Sequence, residues 1–295
     1  MSTYNGEGYI DGQIRSILSQ KGNFALDLLV RDDGSMDSTK DILKRYEDEK
    51  KLNWYTGENL GPAKSFMDLL ENCGDYDYYA FADQDDVWLN NKIQRGIEQL
   101  KSQKSPALYC SNARLVNAKL ESLGRNVYRR TPKTDFETVV CAGGLLGCTM
   151  IFNYALFEEV RKAQKELQII MHDYFVAILC AALNGKIIYD EVPSMLYRQH
   201  QNNVVGCSYG FVNTIRNRVK DIISAEPILI SSQAESILLN YQGQLPTDKK
   251  IWLQKVAHYR DCLLNRIQLA CTLKTHYINT NMGVKLRLSI LLGNR

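Results

Sequence analysis

Three carboxylates fall within four positions at Asp83-Gln84-Asp85-Asp86, directly behind the apolar run Tyr78–Ala82. That run reads as a buried strand. Carboxylates at a strand's C-terminal end face the crevice where open α/β sheets bind ligands. Like charges this close need a counter-charge, and a divalent cation with oxygen ligands supplies one. Asp83 and Asp85 are one residue apart, so in extended backbone they point to the same side. An EF-hand fails on position. With Asp83 first, Trp88 takes the place of the Gly and Gln94 that of the Glu. The plainer alternative is an acidic loop that caps the next helix through Asp86 or Asn90. A second carboxylate pair, Asp32-Asp33-Gly34-Ser35, also ends an apolar run. Asp33 there could accept hydrogen bonds from a base N–H or a ribose hydroxyl, or simply begin a turn.

The elements that must position these groups alternate. Tyr9–Gln20 has helical periodicity at Ile10, Ile14, Ile17 and Leu18, and Leu26–Arg31 reads as a strand. Asp37 can cap a helix reaching about Glu49, Leu52–Thr56 is a short strand, and Pro62 starts a helix to about Asn72. The carboxylate strand follows, then a helix from about Asn90 to Ser102. This order predicts an α/β fold: a mostly parallel sheet with helices on both faces. Further strands are expected at Leu108–Cys110, Arg114–Asn117, Thr149–Phe152, Lys186–Asp190 and Ser194–Gln199, and His172-Asp173 opens an apolar helix to about Leu183. After Gly210 the pattern is helical, with Ile251, Trp252, Val256, Tyr259, Leu263 and Ile267 as one stripe of a long helix. The boundary therefore falls near 210, between residues 1–210 and a helical region 211–295.

At 295 residues, 45% hydrophobic and 23% charged, the chain can bury a sizeable core. Eight cysteines without a C-x-x-C pair fit free thiols in a reducing compartment. The longest apolar run, Tyr174–Leu183, is about half the roughly 20 residues of a membrane span. No basic-then-apolar leader opens the chain, so a cytoplasmic location is expected. The net charge of +3 divides into −4 over residues 1–210 and +7 over 211–295. A basic tail on an acidic body suits an anionic surface such as the inner face of a membrane, or is a solvated helical face. Nucleic acid is not expected, since no binding motif accompanies the charge.

Neither the dinucleotide fingerprint G-x-G-x-x-G nor the P-loop G-x-x-x-x-G-K-[ST] stands where its fold requires it. Phosphate would have to be neutralised in another way, and a cation on Asp83–Asp85 answers. Six motifs then occur in order: Ser2-Thr3-Tyr4-Asn5-Gly6-Glu7, Asp32-Asp33-Gly34-Ser35, Asn59-Leu60-Gly61, Asp83-Gln84-Asp85-Asp86, His172-Asp173 and Tyr197-Arg198-Gln199-His200. Together they resemble the inverting nucleotide-sugar glycosyltransferases of family 2, which have the GT-A fold. The wording Ala82-Asp83-Gln84-Asp85-Asp86-Val87-Trp88 is similar to the bacterial rhamnosyltransferase-like branch. The resemblance covers about residues 1–205.

That resemblance implies a role for each motif. Ser2, Tyr4 and Asp33 would hold the nucleobase, Tyr4 by stacking, and Asp83 would sit near the ribose. Asp85 would bind Mg²⁺ or Mn²⁺ on the diphosphate, with His200 completing the metal shell or lying over the phosphates. Asp173 matches the catalytic base. The donor implied is a UDP- or dTDP-sugar, rhamnose being one candidate, and the acceptor a glycan or lipid-linked sugar of a cell-surface polysaccharide. Trp88 could stack on an acceptor ring or sit in the core, and Gly144 in Gly143-Gly144-Leu145-Leu146-Gly147 could let an acceptor approach backbone closely. Judged by itself, Asp173 could instead cap its helix, where the dipole would lower its pKa and weaken it as a base. His172, His258 and His276 read as structural or exposed.

A nucleotidyltransferase is a rival reading, but Thr3–Tyr9 holds no Lys or Arg for a phosphate loop. A non-catalytic binding partner of an active transferase is another, and Asp85, Asp173 and His200 argue against it. In the resembled fold a buried apolar strand precedes the Ser-Thr-Tyr-Asn segment, whereas here Met1 stands directly before Ser2. The first strand thus reads as truncated, and about five to eight β-branched or Leu residues are expected ahead of Met1.

Overall fold

The computed structural model describes residues 1–163, 167–199, 230–273 and 280–293. His200 and the expected boundary near 210 lie outside them. The first half alternates as expected. Strand β1 (Ser2–Thr3) leads to α1 (Ile10–Leu18), β2 (Leu29–Asp32) to α2 (Thr39–Asp48), and β3 (Asn53–Thr56) to α3 (Gly61–Asn72). Then come β4 (Tyr78–Ala80), β5 (Val87–Trp88), α4 (Lys92–Leu100), β6 (Ala107–Ser111), β7 (Arg114–Val116) and β8 (Ser122–Asn126). Helix α5 (Phe136–Ala142), a 3₁₀ turn (Gly147–Thr149), β9 (Ile151–Asn153), α6 (Tyr154–Arg161), α7 (His172–Ala182), β10 (Lys186–Asp190) and β11 (Met195–Arg198) complete the body. Four helices follow: α8 (Ile230–Tyr241), α9 (Thr247–Ala257), α10 (Leu263–Thr272) and α11 (Thr280–Leu291).

The strands form three sheets among the described residues, in the orders β1-β2-β3, β10-β6-β9-β4 and β5-β11-β7-β8. The first is all parallel. In the second, β9 runs antiparallel to both β6 and β4, so the sheet is mixed where the alternating pattern predicts parallel strands. Strand β2 starts at Leu29, three residues later than expected, although the Leu28 carbonyl already accepts from the Asn53 N–H of β3 at 3.0 Å.

Apolar spacing explains the packing. Ile10, Ile14 and Ile17 give α1 one buried face. All five residues of β6 are buried, as a strand between two neighbours and two helical layers requires. Helix α7 is apolar on nearly every side, and Phe175 through Ala182 are buried throughout. It packs on α3, α5, α6 and β10, and its first turn faces the sheet edge that carries the acidic loop.

The expected single helix through 251–267 is two. Trp252, Val256 and Tyr259 are buried, but Ile251, Leu263 and Ile267 are exposed. Helix α9 ends at Ala257 because local side-chain bonds compete with its continuation: His258 pairs with Asp261 at 3.2 Å, and Asn265 donates to the His258 carbonyl at 2.9 Å. The C-terminal helices share their core with the body, Trp252 and Val256 lying in the cluster that contains Phe152 and Phe175. They also brace α7. The Lys249 ammonium donates to the Ala181 carbonyl at its C-terminal end, where positive charge suits the helix dipole. Gln233 accepts from the Ile170 N–H at 2.8 Å just before α7 begins. No helix among the described residues is long and apolar enough to cross a membrane.

Candidate active site

The loop after β1 is tied to the loop after β2. Asn5 takes a left-handed φ of 47°, a conformation Asn tolerates; its N–H donates to Ser35 Oγ, and its Oδ1 accepts from the Met36 N–H, both at 2.9 Å. The Gly6 N–H donates to Thr39 Oγ1 at 2.8 Å. Next to this clamp the Tyr4 ring is 45% exposed, open to a stacking partner. Its backbone is held by Gln84, whose Oε1 accepts from the Tyr4 N–H at 2.9 Å while Nε2 donates to the Tyr4 carbonyl at 3.0 Å. The residue between the two aspartates thus joins the acidic loop to the loop after β1. Ser2 meets Ser65 through their hydroxyls at 2.7 Å.

Asp33 is buried. Its carboxylate accepts from Arg31 and from the Leu60 and Gly61 N–H groups at 2.9 Å each. It thereby anchors the Asn59-Leu60-Gly61 turn, where Gly61 has φ +73°. Arg31, buried and also paired with Asp68 at 2.8 Å, was not singled out by sequence reasoning.

The acidic loop divides by depth. Asp83 and Asp85 are half-buried; Asp86 is fully buried and accepts from the Arg198 N–H at 3.1 Å, so it caps no helix. Burial, then the charges of Asp85 and Asp173, push the Asp83 carboxyl up to about 7. Burial, then the charges of Asp85 and Asp83, push Asp86 well above the ordinary range. Arg198 donates from Nε to the Asp85 carbonyl at 2.6 Å and stacks over the Tyr9 ring at 5.0 Å. Beneath the loop, the fully buried Lys92 donates to the Cys148 carbonyl at 2.8 Å and lies 4.2 Å from the centre of the Trp88 ring. Desolvation lowers its pKa to about 8. Gln84 and Arg198 stand in the motifs without a role assigned to them, and Lys92 escapes sequence reasoning because a buried Lys and a solvated one look alike in a pattern.

Trp88 is a core residue. It is 4% exposed, with its backbone N–H donating to Ser16 Oγ at 2.9 Å, so of the two readings the core one holds and the acceptor platform is corrected. Only two residues of β5 pair with β11, and that pairing turns the indole inward. Gly144 is exposed with φ +101° and open space where a Cβ would stand; its carbonyl accepts from the Tyr128 hydroxyl at 2.6 Å.

Asp173 sits in the first turn of α7, whose N-cap is Met171, so it is not the cap. Its Oδ2 accepts from the Gly147 N–H at 2.9 Å and its Oδ1 from the Tyr174 N–H at 2.7 Å. These bonds lower its pKa, but burial outweighs them and raises it to about 6. The expectation that the helix terminus would weaken this base is therefore overturned by desolvation. Its neighbour His172 stacks on Phe66 at 3.9 Å, and burial lowers its pKa to about 3, which keeps it neutral.

The Asp83 and Asp86 carboxylates and the Cys148 sulfur lie within 4.8 Å of one another. Burial holds the Cys148 thiol protonated, and a hard cation prefers oxygen, so this deeper trio suits Mg²⁺ or Mn²⁺ poorly. The half-buried carboxylates Asp83 and Asp85 fit such an ion.

The site thus brings together a buried carboxylate of raised pKa, an acidic loop at a sheet edge and an exposed aromatic on a clamped loop. Comparison with known proteins identifies the family. The family model for glycosyl transferase family 2 matches residues 1–161. The dTDP-rhamnosyl transferase RfbG of Shigella flexneri is 32% identical over 227 residues, 72% of this chain and 75% of that protein. Among solved structures, S. aureus TarS 1–349 in complex with UDP-GlcNAc aligns with a TM-score of 0.54 at 17% identity, over 99% of this chain and 89% of that one. The mannosyltransferase PcManGT of Pyrobaculum calidifontis, solved with GDP-Man and Mn²⁺, aligns with a TM-score of 0.51 at 16% identity, over 99% and 85%. Those structural likenesses are of fold, and with the sequence matches they identify this chain as a glycosyltransferase belonging to family 2.

Proposed function

We propose that this glycosyltransferase moves a deoxyhexose such as rhamnose, with inversion, from a dTDP- or UDP-sugar to a glycan or lipid-linked acceptor of a surface polysaccharide. The observation that carries the reading is Asp173: a carboxylate raised to about 6, held by two backbone N–H groups and close enough to Asp83 to shift its titration. A general base works best with a pKa near the working pH. Asp173 would take the acceptor hydroxyl's proton as that oxygen attacks the anomeric carbon. One base suffices for inverting transfer, and no second carboxylate is needed as in a glycosidase.

The exposed Tyr4 ring would stack on the base. Asp33, already committed to three donors, would use its remaining acceptor capacity, and Asp83 would meet the ribose. Ser2 would help through its backbone. Asp85 with Asp83 would hold Mg²⁺ or Mn²⁺, and His200 belongs to the same proposal through its motif. A bound cation supplies positive charge beside the departing diphosphate. Exposed Gly144 would face the acceptor. The RfbG likeness favours dTDP-rhamnose as donor.

The basic region 211–295 carries net +7, and Leu263, Leu264, Leu288 and Leu292 are exposed on and beside α10 and α11. Both support peripheral attachment to an anionic membrane from the cytoplasmic side. A panel of nucleotide sugars, each with Mn²⁺, Mg²⁺ or EDTA and scored for slow donor hydrolysis, tests the donor and metal parts. Turnover of dTDP-rhamnose only with metal is expected. Equal turnover in EDTA would remove the metal, and preference for another sugar would remove the donor.

A further inference from the structure

Charge is unevenly placed on the body of the protein. Residues 114–133 hold six Lys and Arg and one Glu, a net of +5. Residues 1–210 together carry −4, so the rest of them carry −9. The basic stretch is the β7–β8 hairpin and the chain that leaves it. Pairing sets Arg114 opposite Asn126, so Arg114 and Arg125 share the open end of the hairpin. Arg129 and Arg130 follow from that end. The stretch's one carboxylate, Glu121, is bonded to Asn117 Nδ2 at 2.6 Å at the opposite, turn end. Arg114, Arg129 and Arg130 are exposed, and among the described residues none of the three forms an ion pair. Like charges left together without partners repel, and a bound anion offsets that cost.

Tyr128 fixes where this stretch lies. Its N–H donates to Asn112 Oδ1 at 3.1 Å and its carbonyl accepts from Asn112 Nδ2 at 2.9 Å, and Asn112 is buried directly after β6. Its hydroxyl spans the glycine loop, donating to the Gly144 carbonyl at 2.6 Å and accepting from the Leu146 N–H at 2.9 Å. The next residue of that loop, Gly147, holds Asp173. Arg129 and Arg130 therefore start one and two residues from the group that pins the exposed Gly144 turn. Tyr4 and Asp33 follow strands of the β1-β2-β3 sheet, whereas the hairpin belongs to another sheet. The basic stretch thus stands with the Gly144 loop.

We propose that Arg114, Arg129 and Arg130 bind a phosphate or diphosphate group carried by the acceptor, while the acceptor's sugar enters over Gly144 toward Asp173. The proposal rests on the acceptor reading of that loop given above. Guanidinium groups suit the role, because each stays charged and presents paired N–H donors that match phosphate oxygens. A donor diphosphate would meet a cation on Asp83 and Asp85; the acceptor's phosphate meets cations of the chain itself.

Calorimetry on the full chain in EDTA tests this, since no metal can then bridge the anion. Geranyl diphosphate stands for a lipid diphosphate, glycerophosphoglycerol for a phosphodiester within a glycan, and geraniol is the neutral control. Tighter binding of the first or of the second names the source of the phosphate. Arg129→Glu with Arg130→Glu should weaken the bound probe about tenfold or more, and Arg129→Gln with Arg130→Gln should weaken it as well. Lys101→Glu with Lys104→Glu, an equal charge change at exposed positions beyond α4, should not. Equal weakening by both charge reversals, or no binding of either phosphate, overturns the proposal. So does competition with UDP when Mn²⁺ replaces EDTA, because the anion would then occupy the donor site. Binding of phosphatidylglycerol vesicles alone overturns it in favour of a membrane surface. Donor hydrolysis should be unchanged in the arginine variants; its absence from the wild type would remove the donor reading and leave this one standing.

Discussion

Replacing Gly147 by Ala probes the base without touching it. A Cβ at 147 would stand 2.7 Å from Asp173 Cβ, 2.9 Å from its Oδ2 and 3.1 Å from its Cγ. Carbon contacts prefer about 3.5–4.0 Å, so the carboxylate must retreat by about 1 Å and lose the Gly147 N–H bond. A misplacement of that size costs about 10²-fold in rate. Overpacking costs about 1–3 kcal/mol, a Tm fall of roughly 2–10 °C for a chain of this class. The lost N–H bond is one that lowers the Asp173 pKa, so the midpoint of the pH–rate curve should move up from about 6. Activity should rise with pH through that midpoint, since the base acts ionised. Donor-dependent transfer across pH 5–8 reads the rate and midpoint, and calorimetry with UDP or dTDP should show unchanged nucleotide affinity. The double variant with Asp173→Asn decides the route. If Gly147 acts through Asp173, the pair is no slower than Asp173→Asn alone. Gly147→Ala at wild-type rate and midpoint, or a fully additive double variant, would refute the reasoning.

Other outcomes follow from the same geometry. Asp173→Asn should lose about 10²–10⁴-fold in transfer and yet be more stable at pH 7 by about 1–3 kcal/mol. The sign follows because the folded pKa of about 6 exceeds the ordinary carboxyl value of 3.8, so stability falls as pH rises between them; a gap that does not close toward pH 4 in urea melts speaks against it. Gln84→Ala frees the Tyr4 backbone and should weaken UDP or dTDP binding about tenfold by calorimetry, with unchanged affinity counting against the clamp. Lys92→Met leaves the Cys148 carbonyl without its buried donor and should cost about 1–3 kcal/mol in urea unfolding, and an undiminished midpoint would count against that bond. Sedimentation with anionic vesicles should be strong at low salt and fade as salt rises; equal recovery with neutral vesicles removes the membrane surface.

Local patterns reached far in this protein. Apolar spacing located α1 and β6 because one-sided burial leaves a periodic trace, and chain-order motifs placed the carboxylates at strand ends. The position of Asp83 behind a strand and of Asp173 in the first turn of a helix was legible for the same reason, since the flanking apolar runs carry the period of those elements. Depth was not. Asp86 and Asp85 are neighbours with the same side chain, and only packing against Arg198 buries one and leaves the other reaching outward. Trp88 and Lys92 are both buried, the ammonium 4.2 Å from the centre of the indole ring, a pairing no local pattern announces. The Asp173 pKa depended on whether desolvation or the helix terminus won, a balance set by burial and by the Gly147 turn, 26 residues away in the chain. Sequence carries the inventory of groups and the period of the elements that bear them; the energy of a charge depends on everything around it, which only the assembled fold decides.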